Sequence, residues 1–105
     1  MAPIETRDVL TELAEGRTSL ADVERLYERV MASEHAADAP ALLGLSAVEW
    51  TAFCQGAHWD DLARFRREGW PRTCGVCGRA LAVAAFGWLV REHEGGVALI
   101  HVECA

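Results

Sequence analysis

The chain has no lysine: its ten basic residues are all arginine, set against sixteen Asp and Glu for a formal net charge of −6. An acidic balance argues against non-specific nucleic-acid binding, which depends on neutralising phosphates with basic side chains. Long hydrophobic runs are also missing. None approaches the roughly 20 apolar residues that a membrane-spanning helix needs, so no membrane partner is expected. The N-terminal Met1-Ala2-Pro3-Ile4-Glu5 lacks a basic segment followed by an apolar one, so no signal peptide is expected and the chain reads as cytoplasmic. There is no Gly-rich phosphate loop and no Ser-His or Cys-His dyad in a supporting context. Asp60 and Asp61 are adjacent, so a helix would turn them to different faces. These absences point away from an enzyme. Internal repeats and low-complexity tracts are absent too.

What is present is a 105-residue chain, 51% apolar, which suits one small domain or two sub-modules sharing a core. A core of that size is marginal, and a structural metal would add needed stability. Charge is uneven. Residues 1–50 hold four Arg against ten Asp and Glu, a balance of −6, and residues 51–105 hold six of each. Between Arg64 and Arg79 five Arg face one Glu, a local +4 that fits a localised anionic partner.

The periodicity predicts a helix over 3–15, with Pro3 in its first turn, Val9, Leu10 and Leu13 on one side, and Gly16 as its stop. Ser19 is placed to cap a second helix over 20–33, in which Leu20, Val23, Tyr27 and Val30 recur at a/d spacing and Leu26 and Met31 widen the stripe. Residues 1–33 therefore read as a helical hairpin, and residues 20–31 as the surface for a homodimer if the chain is not a monomer. Residues 34–45, with Pro40, Gly44 and a solvated His35, read as a linker. A second helical hairpin is predicted over 46–70. Ser46 and Glu49 form a capping box stapled by Leu45 and Trp50, a break falls at Gly56, and Trp70-Pro71 ends helical structure. From Thr73 the period changes. An extended piece near Ala80–Val83, a strand around Phe86–Arg91, a turn at Glu94-Gly95-Gly96 and a strand over Val97–Val102 predict a β-hairpin. The expected fold class is α+β, with N-terminal helical hairpins followed by a small zinc-bound β-hairpin module over 71–105.

Cys74, Cys77, His101 and Cys104 carry the strongest signal. They read C-x2-C-x23-H-x2-C, two pairs of soft or borderline donors separated by the predicted hairpin. A tight turn with Gly75 and Gly78 lets the first pair fold back, and the hairpin returns the second pair beside it. Four such donors select zinc over magnesium or calcium. With four protein ligands the shell is full, so one structural zinc is expected. Cys-Gly-Val-Cys-Gly-Arg-Ala-Leu, then a hairpin, then His101-Val-Glu-Cys104, resembles the first zinc site of a LIM domain or a related treble-clef or ribbon finger. The resemblance covers residues 74–105. It implies zinc on these four residues and a role in protein contacts, and it departs from LIM in that the sequence stops at Ala105 without a second site. Cys54, His58 and His93 are substitute ligands to be tested. A thioredoxin-type dithiol at Cys74–Cys77 would have to open a helix after a buried strand, and the sequence around it does not provide one. A zinc-ejecting thiol switch stays open.

Val48 to Arg67 also invites a helix-turn-helix reading. Ala52, Gly56, Leu62 and Phe65 sit where that motif wants small, turn and core residues. Gly56-x5-Leu62-Ala63-Arg64 resembles the start of the recognition helix in bacterial regulators. Arg64, Arg67, Arg72 and Arg79 would then be nucleic-acid contacts. Against it, Asp60, Arg64 and Glu68 space as a solvated salt-bridge ladder, and two carboxylates would lie near phosphates. Trp50, Phe53, Trp59, Leu62 and Trp70 would pack this helix pair on the zinc hairpin. The expected function is that of a bacterial-type cytoplasmic zinc-binding protein, non-catalytic, acting by protein–protein contact. The alternatives are a DNA-binding regulator with a zinc-stapled C-terminus and a zinc/thiol redox switch.

Overall fold

A computed structural model describes residues 5–93 and 96–105. Among the described residues five α-helices precede one antiparallel hairpin, so the chain is α+β. The helices are α1 (Val9–Ala14), α2 (Leu20–Met31), α3 (Ala39–Leu43), α4 (Ala47–Cys54) and α5 (Trp59–Glu68). The strands are β1 (Trp88–His93) and β2 (Gly96–His101), in the register Trp88↔His101, Leu89↔Ile100, Val90↔Leu99.

Several boundaries follow from local hydrogen bonding. The Ser19 hydroxyl accepts from the Asp22 amide and starts α2. The capping box of α4 is complete: the Ser46 hydroxyl accepts from the Glu49 amide (3.2 Å), and the Glu49 carboxylate accepts from the Ser46 amide (2.8 Å). At the start of α5 the Asp61 carboxylate reaches back to the His58 amide at 3.3 Å.

Three expectations are corrected. The first helix begins at Val9, not near Pro3. The Asp8 carboxylate accepts from the Thr11 amide and hydroxyl and so caps the helix there, while the Arg7 amide donates to the Leu42 carbonyl. Pro3 lies outside the described residues. The segment read as a linker holds a 3-10 turn (Ala36–Asp38) and α3, whose Ala39 and Leu43 are fully buried. Pro40 stands in its first turn, where the missing N–H costs nothing. Gly44 closes it in the left-handed region at φ 74°, with the Leu45 amide bonded to the Pro40 carbonyl. The strands are shifted: β1 begins at Trp88 because Val83–Ala85 form a 3-10 turn and Phe86 takes a positive φ. Residues 94 and 95 of the predicted turn fall outside the described residues.

The first helix packs chiefly on the last, not on its neighbour in sequence. α1 lies against α5, and α2 against α3. Val9, Leu10, Val23, Val30, Leu43, Leu62 and Leu99 are fully buried, so one core runs from α1 to β2. Within the stripe of α2, Val23, Leu26 and Val30 enter this core, and Leu20 and Met31 stay exposed. Trp50, Phe53 and Trp59 gather around Tyr27, with centroids 6.5, 5.0 and 5.8 Å from its ring. The buried Trp59 indole donates to Glu24 at 2.7 Å. Trp70 does make the expected bridge, 4.8 Å from Phe65 and 6.3 Å from Trp88. Gln55, just past α4, adds a polar brace: its side-chain oxygen accepts from the Val90 amide (2.7 Å), and its side-chain nitrogen approaches the Trp88 carbonyl (3.4 Å).

Candidate metal centre

The first ligand pair sits on a knuckle built by backbone pairing. Thr73 and Ala80 bridge, the Cys74 amide donates to the Arg79 carbonyl (2.9 Å), and the Gly78 amide donates to the Cys74 carbonyl (3.0 Å). The two expected glycines do different work. Gly78 stands at φ 72°, a conformation that suits glycine. Gly75 permits close approach: a Cβ there would lie 3.1 Å from Ala98 Cβ, and its amide donates to the Leu99 carbonyl at 2.9 Å. That contact docks the knuckle on β2. His101 ends β2, and Cys104 follows in a 3-10 turn, Val102–Cys104.

The result is one cluster. The donor atoms of Cys74, Cys77, His101 and Cys104 all lie within 4.8 Å of one another. Cys77 Sγ is 3.4 Å from His101 Nδ1. His101 Nε2 is 3.2 Å from the Ala80 carbonyl. With Nε2–H donating there, Nδ1 turns its lone pair toward the sulfurs, the arrangement by which a backbone carbonyl fixes the tautomer of a metal-ligating imidazole. The buried Cys74 sulfur accepts from the amides of Val76 (3.4 Å) and His101 (3.3 Å).

The sulfurs and the imidazole shift one another's titration. Burial works to raise the Cys74 thiol, but the amides of Cys77, His101 and Val76 outweigh it and bring the pKa down to about 6. Burial, with the sulfurs of Cys77 and Cys74, pushes Cys104 up to about 11. His101 is held above its ordinary 6.5, chiefly by its hydrogen bond with Cys77. Adjacent thiolates repel one another, and a metal ion removes that repulsion by taking the place of the protons. Three thiolates and an imidazole fit a soft or borderline divalent ion, and four protein donors complete a tetrahedral shell. No disulfide occurs among the described residues. Cys74–Cys77 lies on a turn and opens no helix, so the thioredoxin context is missing.

The other candidate ligands fall elsewhere. Cys54 is exposed at the end of α4. His58 is exposed and pairs with Glu92 at 3.3 Å. His93 pairs with Gly96 at the opposite end of the hairpin from the Trp88↔His101 pair. That places its backbone roughly 17 Å along the strand from the site, at about 3.4 Å per residue.

The arginines singled out for nucleic acid do not share one surface feature. Arg64 pairs with the buried Asp61 at 3.3 Å and lies 5.2 Å from the Phe65 ring. Arg67 is exposed near Glu68, and with Arg64 it lines a cleft beside Leu13 and Leu20. Arg72 lines a different cleft, and Arg79 is exposed on the knuckle.

The polar centre that sequence reasoning missed is Arg66. Its guanidinium donates to both Glu49 oxygens (2.5 and 2.8 Å), the Gly44 carbonyl (2.8 Å), Thr11 Oγ1 (3.3 Å) and Asp8. It therefore joins the caps of α1 and α4 to the end of α3. Comparison with protein families, curated proteins and solved structures finds no match to the chain.

Proposed function

We propose that this chain is a non-catalytic interaction module of the bacterial cytoplasm in which one zinc ion staples the C-terminal hairpin and the surfaces it holds contact another protein. The observation that carries the reading is the closed donor set, three cysteines and one histidine converging within 4.8 Å. A full shell leaves no coordination position for substrate or water, which favours a structural metal. Knuckle, antiparallel hairpin and helical turn follow in the order of a treble-clef finger. That order supports the LIM-like reading of residues 74–105 and, by analogy only, a role in protein contacts.

DNA reading through α5 has weaker support. The helix is already covered on one side by α1, and its first turn carries Asp60 and Asp61, at the end where a recognition helix would meet bases. The test is crosslinked affinity capture with zinc-loaded and metal-stripped protein, alongside a low-salt gel shift. The reading expects specific protein partners recovered only by the zinc-loaded form, and no DNA complex. A salt-dependent DNA complex lost in Arg64→Ala and Arg67→Ala would replace it with the regulator reading. Reversible zinc release by mild peroxide, coupled to loss of partner capture, would replace it with the redox switch.

A further inference from the structure

We propose that the cleft between the two arms of the knuckle docks an acidic peptide segment carrying one bulky apolar side chain. This rests on the interaction-module reading above and names the kind of partner. The arms are residues 70–73 entering the knuckle and 80–84 leaving it. They are held together by the Thr73–Ala80 bridge and by the Leu81 amide donating to the Arg72 carbonyl at 2.8 Å. Between them lies a cleft of about 370 Å³ whose walls include Trp70, Pro71, Leu81 and Val83. The Trp88 indole donates to the Val83 carbonyl at 2.8 Å and fixes the far wall. Because the same pairing closes the metal site, metal loss should loosen the cleft.

The chain from Ala80 to Val90 has no charged residue, yet Ala82, Ala84, Ala85 and Phe86 are exposed. Apolar side chains contiguous in sequence and facing solvent mark a contact surface. Phe86 is 43% exposed at φ 59°, ψ −150°, a backbone region that is essentially glycine's. Its ring stacks 6.2 Å from Trp88, which lies 6.3 Å from Trp70, so an aromatic row runs from the cleft wall to the surface.

Charge selects the occupant. Among the described residues Arg72 is the sole charged one lining the cleft. Residues 69–91 contain Arg72, Arg79 and Arg91 and no Asp or Glu. A cleft of this volume accepts a Leu, Met or Phe side chain, and Arg72 in its wall favours a carboxylate beside it. Apart from Arg72 the lining is apolar, which favours an apolar peptide side chain over a run of phosphates.

The test titrates fluorescein-labelled peptides into the zinc-loaded full chain and reads anisotropy. The peptides carry a central Leu or Phe flanked by Asp and Glu, with matched versions having a central Ser or flanking Lys. Acidic Leu or Phe peptides should bind, and either change should weaken binding at least tenfold. Ala84→Glu should weaken it comparably with zinc content and thermal unfolding unchanged. Arg72→Glu should shift preference toward Lys-flanked peptides. Phe86→Gly, which suits its backbone, should keep the fold and lose affinity. Indifference to charge sign, or to both Ala84→Glu and Arg72→Glu, would overturn the proposal, as would uptake of dodecanoate in place of peptide. Capture of a protein partner that survives Ala84→Glu would sink this docking site and leave the interaction-module reading standing. Absence of both peptide binding and partner capture would end both.

Discussion

Replacing Arg66 with alanine removes the donor shared by four separate acceptor residues and leaves Glu49, whose side chain is 5% exposed, without its counter-charge. Removing one partner of a buried ion pair costs about 3–5 kcal/mol. Two features of this site lower that. The Arg66 side chain keeps 28% exposure, and Glu49 still accepts from the Ser46 amide at 2.8 Å. The expected loss for Arg66→Ala is therefore about 2–4 kcal/mol, a fall in Tm of roughly 10–25 °C for a domain of this size. Urea unfolding followed by tryptophan fluorescence measures it, and Arg67→Ala, at 62% exposure, is the control expected to stay within about 0.5 kcal/mol. A double-mutant cycle with Glu49→Gln isolates the pairing. A loss below about 1 kcal/mol for Arg66→Ala, or no coupling in the cycle, refutes the reasoning that this network joins the helices. The pH dependence has a definite sign. Burial works to raise the Glu49 carboxyl, but hydrogen bonds from Arg66 and from Ser46 outweigh it and hold it below its ordinary 4.5. A carboxyl depressed on folding contributes stability at neutral pH and loses it as pH falls through the folded value. Below about pH 4.5 wild type should thus lose stability more steeply than Glu49→Gln.

Other substitutions separate local causes. At Gly44 a Cβ would lie 2.6 Å from the Arg7 carbonyl oxygen with φ at 74°, so Gly44→Ala should cost about 2–5 kcal/mol in urea unfolding. Gly78 has a similar φ and open space, so Gly78→Ala should cost only about 1–2 kcal/mol. Gln55→Ala should lower stability by about 1–2 kcal/mol and strip hydrogen-exchange protection from the Val90 amide, because that amide donates to the Gln55 side chain. Unchanged exchange at Val90 would show that the brace does not hold β1. Cys54→Ser should leave metal content and stability as they are, since Cys54 is exposed and outside the ligand cluster.

Features governed by near neighbours were legible in the sequence. Ser19 and Ser46 start helices through side chains bonded three residues on, and Gly78 marks a turn. The convergence of Cys74, Cys77, His101 and Cys104 could be read from spacing because a knuckle and a hairpin bring such pairs together with few alternatives. Helix α3 was obscured because Pro40 and Gly44 act as breakers inside a helix but as start and stop at its ends. The start of α1 went to Asp8 because its side-chain bonds to Thr11 decide locally against the apolar period. The aromatic cluster was not legible: Trp50, Phe53 and Trp59 meet Tyr27 across a long sequence separation that no periodicity encodes. Arg66 and Glu49 are seventeen residues apart, and their pairing exists only once α4 and α5 are packed.

The most direct measurement is metal stoichiometry on the purified chain, read by elemental analysis and by the spectrum of the cobalt-substituted form. The account predicts one zinc per chain, bound by three sulfurs and one nitrogen in a tetrahedral field, with Cys77→Ser and His101→Ala losing metal and hairpin order together. Protein that carries no metal near one equivalent, or Cys77→Ser protein that folds as wild type does, would contradict it.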